Sequence, residues 1–166
     1  MGSSVTIREA AANDRPALEA CMAELQAFEC TIERNRVAPE TIRGVYIDYL
    51  LSECQKSDGT ILVAEANGQV VGFVCVLCRV DSEEIVEIDR LHAYITDLVV
   101  LEPHRNAGIG SQLIQAAESQ AQARGATRIE IGVLTANSAA HRLYQKLGYC
   151  DREVVLEKRL ESADGR

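Results

Sequence analysis

Apolar and polar positions alternate over residues 5–8, and that period of two predicts a strand at the start of the chain. Asn13-Asp14-Arg15-Pro16 breaks the alternation: Asn or Asp can cap a helix, and Pro suits its first turn. The helix that follows carries an apolar stripe of Leu18, Cys21, Met22, Leu25 and Phe28 at spacings of three and four. A second helix is predicted over 39–56, with Ile42, Val45, Tyr46, Tyr49 and Leu50 on its inner side. Strands at 61–66 and 70–80 flank Asn67-Gly68, the pair preferred where a two-residue turn needs positive φ. The polar stretch 81–89 is a loop or frayed strand end, and 94–101 a strongly apolar strand. A helix over 110–124 turns Leu113, Ile114, Ala117 and Ala121 inward and stops at Gly125. Residues 129–133 alternate as a strand, 138–147 form a short helix between Asn137 and Gly148, and 154–160 are a last strand.

The order is β-α-α-β-β-β-α-β-α-β. The hairpin requires antiparallel neighbours, while the strand-helix-strand unit in the second half requires a parallel pair. The fold class is therefore α/β, a mixed and mostly antiparallel sheet with helices on both faces. At 166 residues the chain is expected to be one domain spanning 1–166, long enough to bury about two-thirds of its unfolded surface.

Composition narrows the function classes. Hydrophobic residues make up 47%, yet no apolar run approaches the roughly 20 residues that cross a bilayer. The first residues lack a signal peptide's apolar core, so a soluble, cytoplasmic protein is expected. A net charge of -8 with no Lys/Arg block argues against nucleic-acid binding. It suits a cationic acceptor and is equally an ordinary means of staying soluble. Of the six cysteines, Cys75 and Cys78 form a C-x-x-C, but on a strand residues three apart face opposite ways. The other cysteines are scattered and the histidines show no ligand spacing, so buried thiols and no metal site are expected.

The chemistry concentrates in residues 95–111: an apolar strand, a short turn, then Arg105-x-x-Gly108-x-Gly110 entering a helix. Glycines let backbone turn tightly and approach a ligand. The first amides of a helix lack internal partners, and the dipole there favours negative charge, so the loop is a candidate phosphate cradle. The three-glycine dinucleotide pattern is absent, and so is the Lys-Ser/Thr of a Walker loop.

Arg105-Asn106-Ala107-Gly108-Ile109-Gly110 resembles the Q/R-x-x-G-x-G/A motif of the GNAT superfamily of N-acetyltransferases, and Asp97-Leu98-Val99-Val100 before it fits that family's strand. Downstream, Asn137-Ser138-Ala139-Ala140-His141-Arg142-Leu143-Tyr144-Gln145-Lys146-Leu147-Gly148-Tyr149 is similar to its second motif, N-x(6)-Y-x-x-x-G-F/Y. The resemblance implies transfer of an acetyl group from acetyl-CoA to a primary amine by direct attack in a ternary complex. A small-molecule amine is favoured. Protein N-terminal or lysine acetylation is the alternative, and a non-catalytic acyl-CoA-binding domain the second alternative.

The resemblance also assigns roles. Amides of Asn106, Ala107, Gly108, Ile109, Gly110 and Ser111, with Arg105 beside them, would hold the CoA pyrophosphate. The backbone of Leu98, Val99 and Val100 would bond the pantetheine arm, which requires this strand to splay from the one at 129–133. Asn137 would touch the same arm. Tyr144 matches the family's general acid, and a phenol with a pKa near 10 can protonate a developing thiolate. The family's strand glutamate falls where Thr96 stands, so the base is open among Asp97, Glu87, Asp89 and a water chain; Asp97 could equally be a structural hydrogen-bonder. Glu29 and Glu33 are candidates for a second ammonium of the acceptor, and Glu130 is expected simply to face solvent. Members of the family often form homodimers.

Overall fold

Five strands hydrogen-bond in chain order to make one sheet, and helices cover both of its faces. The computed structural model describes residues 4–160. The elements are β1 (Val5–Glu9), α1 (Arg15–Ile32), α2 (Pro39–Lys56), β2 (Thr60–Ala66), β3 (Gln69–Asp81), the single turn α3 (Glu87–Arg90), β4 (Leu91–Val100), α4 (Ile109–Ala123), β5 (Ile129–Ile131) and α5 (Ser138–Lys146). Pairing is antiparallel from β1 to β4, and β4 and β5 are parallel.

The sheet is buried on both faces, which is why β2 and β3 are nearly continuous apolar runs. Phe73, Cys75 and Leu77 face α1 and α2, where they pack with Leu18, Met22, Ile47 and Leu50. Their alternates Val74, Val76 and Cys78 face α4 and join Leu113, Ile114 and Ala117. Cys75 and Cys78 therefore lie on opposite faces, as strand geometry requires. Cys75 instead meets Cys54 of α2, with the sulfurs 3.6 Å apart. The hairpin turn has φ of 52° at Asn67 and 76° at Gly68, the double positive φ that this pair tolerates. Among the described residues no helix is long and apolar enough to cross a membrane.

Several expectations need correction. Asp14 precedes α1 without capping it through its side chain. Its buried carboxylate takes two hydrogen bonds from Arg8, at 2.7 and 3.0 Å, and one from the Ala11 amide at 2.7 Å. Arg8 accordingly holds Asp14 below the usual carboxylate range. On α2, Val45 and Tyr49 are exposed, and Ile47 takes the core position beside Leu50. The helix is apolar on more than one side, so spacing alone could not choose its inner face. Glu130 does not simply face solvent: it is ringed by Arg128, Arg152 and, at 3.5 Å, the buried His92. The last strand does not form. Residues 151–160 run without a ladder, and Val155 and Leu156 are 85% and 89% exposed. The segment makes no ladder with the free edge of β5, although Arg152 reaches Glu130 on that strand.

Candidate active site

The site begins with one extra residue in β4. Cys75 lies opposite Asp97 and Val76 opposite Ile95, so Thr96 has no partner and forms a bulge. A bulge of one residue reverses the facing of everything after it. Ala93 and Ile95 pack toward α4, and on regular alternation Asp97 and Val99 would follow them. Instead Val99 joins the α1/α2 core, and the Tyr46 hydroxyl of α2 donates to Asp97 Oδ2 at 3.2 Å.

The bulge also ends the parallel pair. β5 accompanies β4 only through Ala93/Ile129, Tyr94/Glu130 and Ile95/Ile131. Beyond Ile95 the strands separate, and one side of residues 96–100 borders a cleft of about 560 Å³. The strands thus splay where the resemblance implied they would.

The far end of the cleft is the turn into α4. Asn106 has φ 62° and Gly108 has φ 78°, so successive amides curl into an anion-binding concavity at the helix start. An added Cβ at Gly108 would meet nothing within 4 Å; the left-handed backbone, not crowding, calls for glycine there. At Gly110 the reason is different, since a Cβ would press on the Leu143 side chain at 3.3 Å and hold α5 away from α4. Arg105 braces the turn: Nε donates to the Val100 carbonyl at 2.8 Å and Nη2 to Glu24 at 2.7 Å. Glu24 also accepts the Glu102 amide at 2.7 Å, a clamp from α1 that no sequence pattern announced.

Leu98, Val99, Val100, Arg105, Asn106, Gly108, Ile109, Gly110, Ser111 and Asn137 all line this one cleft, and so do Asp97 and Tyr144; Ala107 does not. Asn137 Oδ1 accepts the Ala140 amide at 3.2 Å, so the residue also caps α5. Of the other acidic candidates, Glu29 lines the cleft, whereas Glu33, Glu87 and Asp89 do not. Glu33 is held by Arg36 at 2.6 Å, and Asp89 accepts from Thr127 at 3.0 Å. Sequence reasoning missed Tyr46, whose partner is 51 positions away. It also missed Arg142 and Lys146, which line the cleft from one side of α5; their spacing of four was the available signal.

Burial sets the electrostatics. Asp97 is 8% exposed, and loss of hydration pushes its carboxyl up to about 6, with the Thr96 and Tyr46 hydroxyls opposing the rise. Near neutrality it is ionised yet far more basic than a surface aspartate. Tyr144 is pushed up to about 12 by burial and then by Asp97, so it stays protonated. Its ring leans on Tyr149 at 6.1 Å, and among the described residues its hydroxyl has no hydrogen-bond partner. Burial raises Glu29 as well, against the pull of Arg36 at 3.2 Å. A buried carboxyl and a protonated phenol thus line one cleft with the turn into α4.

Comparison with known proteins agrees with this geometry. The family model described as "Acetyltransferase (GNAT) family" matches residues 22–149. An N-alpha-acetyltransferase of Sulfurisphaera tokodaii is 30% identical over 136 residues, 80% of each chain. An aminoalkylphosphonate N-acetyltransferase of Salmonella typhimurium is 36% identical over 123 residues, 74% of this chain and 75% of its own. An aminoglycoside N-acetyltransferase solved in complex with CoA superposes with a TM-score of 0.75 at 19% identity, covering 96% of this chain and 97% of its own, a likeness of fold. With motifs, splayed strands and family match in agreement, the chain belongs to the GNAT acetyltransferase family and is an acyl-CoA-dependent N-acetyltransferase.

Proposed function

We propose that this enzyme, acting as a single domain in the cytoplasm, moves the acetyl group of acetyl-CoA to a primary amine by direct attack in a ternary complex. The observation that carries the reading is the continuity of the cleft. An open β4 edge, Asn106 and residues 108–111 of the turn, Asp97 and Tyr144 share one cavity. Ser111 and the residues before it would receive the pyrophosphate, with Arg142 and Lys146 supplying positive charge nearby. Asn137 and the backbone of 98–100 would align the pantetheine. Asp97 takes a proton from the attacking ammonium, directly or through water. The amine nitrogen then bonds to the thioester carbon, the carbon–sulfur bond breaks, Tyr144 gives its hydroxyl proton to the departing sulfur, and the second proton shed by the nitrogen returns the phenolate to its neutral form, directly or through water. A Val99 or Val100 amide polarises the carbonyl oxygen.

The acceptor end is framed by Leu25, Phe28 and Glu29 of α1 together with Asp97. This compact, acidic frame suits a small cationic amine better than one bearing a phosphonate. Acetylation of a protein N-terminus is the second reading, favoured by the Sulfurisphaera relative. Thiol release from acetyl-CoA across a panel of diamines, amino sugars, aminophosphonates and short peptides tests both. No CoA affinity and no release with any acceptor would overturn the proposal.

A homodimer also fits. Residues 152–160 contain no Gly, Pro, Asn, Asp or Ser that would turn the chain. Fully extended, this arm would span roughly 30 Å, and it is tethered by Arg152 to Glu130 and, at 2.6 Å, by Arg159 to Asn35. Val154, Val155, Leu156 and Leu160 remain exposed along it, and β5 is an edge strand. A second copy offers both partners at once, each arm lying along the other copy's β5 about a two-fold axis.

A further inference from the structure

We propose that Tyr46 of α2 is the positioning residue for Asp97, its hydroxyl fixing one carboxylate oxygen so that the other is presented to the reacting amine. The inference rests on the proposed role of Asp97 as proton acceptor. Its geometric basis is independent of that role. The Thr96 bulge turns Asp97 toward α2, where the Tyr46 hydroxyl donates to Oδ2 at 3.2 Å. The Thr96 hydroxyl also bears on the carboxylate from the neighbouring position, and Asp97 lines the cleft. The final torsion of an aspartate is broad and two-fold, so an untethered carboxylate would sample several orientations. One directed O–H bond removes that freedom. Tyr46 is itself held, by burial and by the Tyr49 ring 5.5 Å away.

Other groups act on the same carboxylate. Cys75 stands opposite it on β3, Thr96 adjoins it on β4, and Glu29 and Arg36 act from α1 and the segment after it. Tyr94 of β4 and Tyr144 of α5 both feel its charge. Glu29 raises its pKa and Arg36 lowers it, so these two oppose each other. Thr96 and Tyr46 both act on the carboxylate through their hydroxyls, and Tyr46 is the one that reaches it from another element, α2. Because the Tyr46 bond favours the charged form, it also keeps Asp97 ionised closer to neutrality.

The test is Tyr46→Phe, which keeps the ring and removes the donor. In the wild-type protein, a ¹³C carboxyl titration of Asp97 gives a midpoint; in Tyr46→Phe it should lie higher by about half a unit to one unit. The acidic limb of kcat/KM should move the same way, so the variant loses about three- to eightfold at pH 5.5 and almost nothing at pH 8.5. Adding Tyr46→Phe to Asp97→Asn should move no limb. An unmoved midpoint, or an even loss at all pH values, would assign Tyr46 to packing and overturn the inference. If the midpoint moves but the wild type releases no thiol with any amine, the coupling stands and the proposed function falls.

Discussion

Asp97 is destabilising in the state in which it works. Its folded pKa of about 6 lies above the ordinary 3.8, so the folded protein binds this proton more tightly than the unfolded chain does. Stability linked to this group is fully present below the unfolded value and is lost as pH rises through about 6. Asp97→Asn, which keeps an oxygen for Tyr46, should therefore stabilise the protein at pH 8 by on the order of 2 kcal/mol, about 4–8 °C in Tm. The gain should shrink toward zero near pH 4, while acetyl transfer at pH 8 falls steeply. Melting curves at both pH values check the sign, and an equal gain at the two would remove the buried charge as its cause. Tyr144→Phe should lower turnover about 100-fold with CoA affinity nearly intact. Tyr144 was legible in the sequence because its motif fixes its distance from Asn137 and Gly148. Tyr46 was not, because a side chain that meets its partner across 51 positions leaves no local pattern.

Elements convert these residues into a site. The turn between β4 and α4 can be read from sequence because glycine declares its need: at φ 78° Gly108 occupies a region that β-branched residues avoid. Gly108→Val should cost about 1–2 kcal/mol in backbone strain and weaken CoA binding at least tenfold by tilting the amides. Calorimetric titration with CoA reads the second effect, and unchanged affinity would sever the loop from the pyrophosphate. The Thr96 bulge was not legible. Strict alternation would send Asp97 to the α4 side with Ile95, and nothing in Ile95-Thr96-Asp97-Leu98 marks the extra residue. Only pairing with β3 creates it, and pairing is a property of two strands. The same reasoning explains α2, where the inner face was settled by contact with α1 and the sheet rather than by the helix's own pattern.

At the scale of the molecule, the unsatisfied end is the carboxyl-terminal arm. Val154 and Val155 favour a strand, yet with Leu156 and Leu160 they stay exposed, while the outer edge of β5 is unpaired among the described residues. A monomer would leave four apolar side chains in water, which a net charge of -8 makes tolerable without making it favourable. Reciprocal exchange removes both liabilities, covering the arm and lengthening a β5 that spans only Ile129–Ile131. The arm also joins two parts of the chain, since Arg152 meets Glu130 of β5 and Arg159 meets Asn35 beyond α1. Sedimentation velocity should therefore give a dimer at micromolar concentration, and Leu156→Asp together with Val154→Asp should shift it to monomer. Because Tyr144 and Asp97 lie within one chain, the monomer should keep CoA binding, while acceptor KM rises if the arm frames the amine. A wild-type chain that sediments as a monomer at 50 μM would leave the arm without a partner, and a dimer indifferent to both substitutions would place the interface on another face.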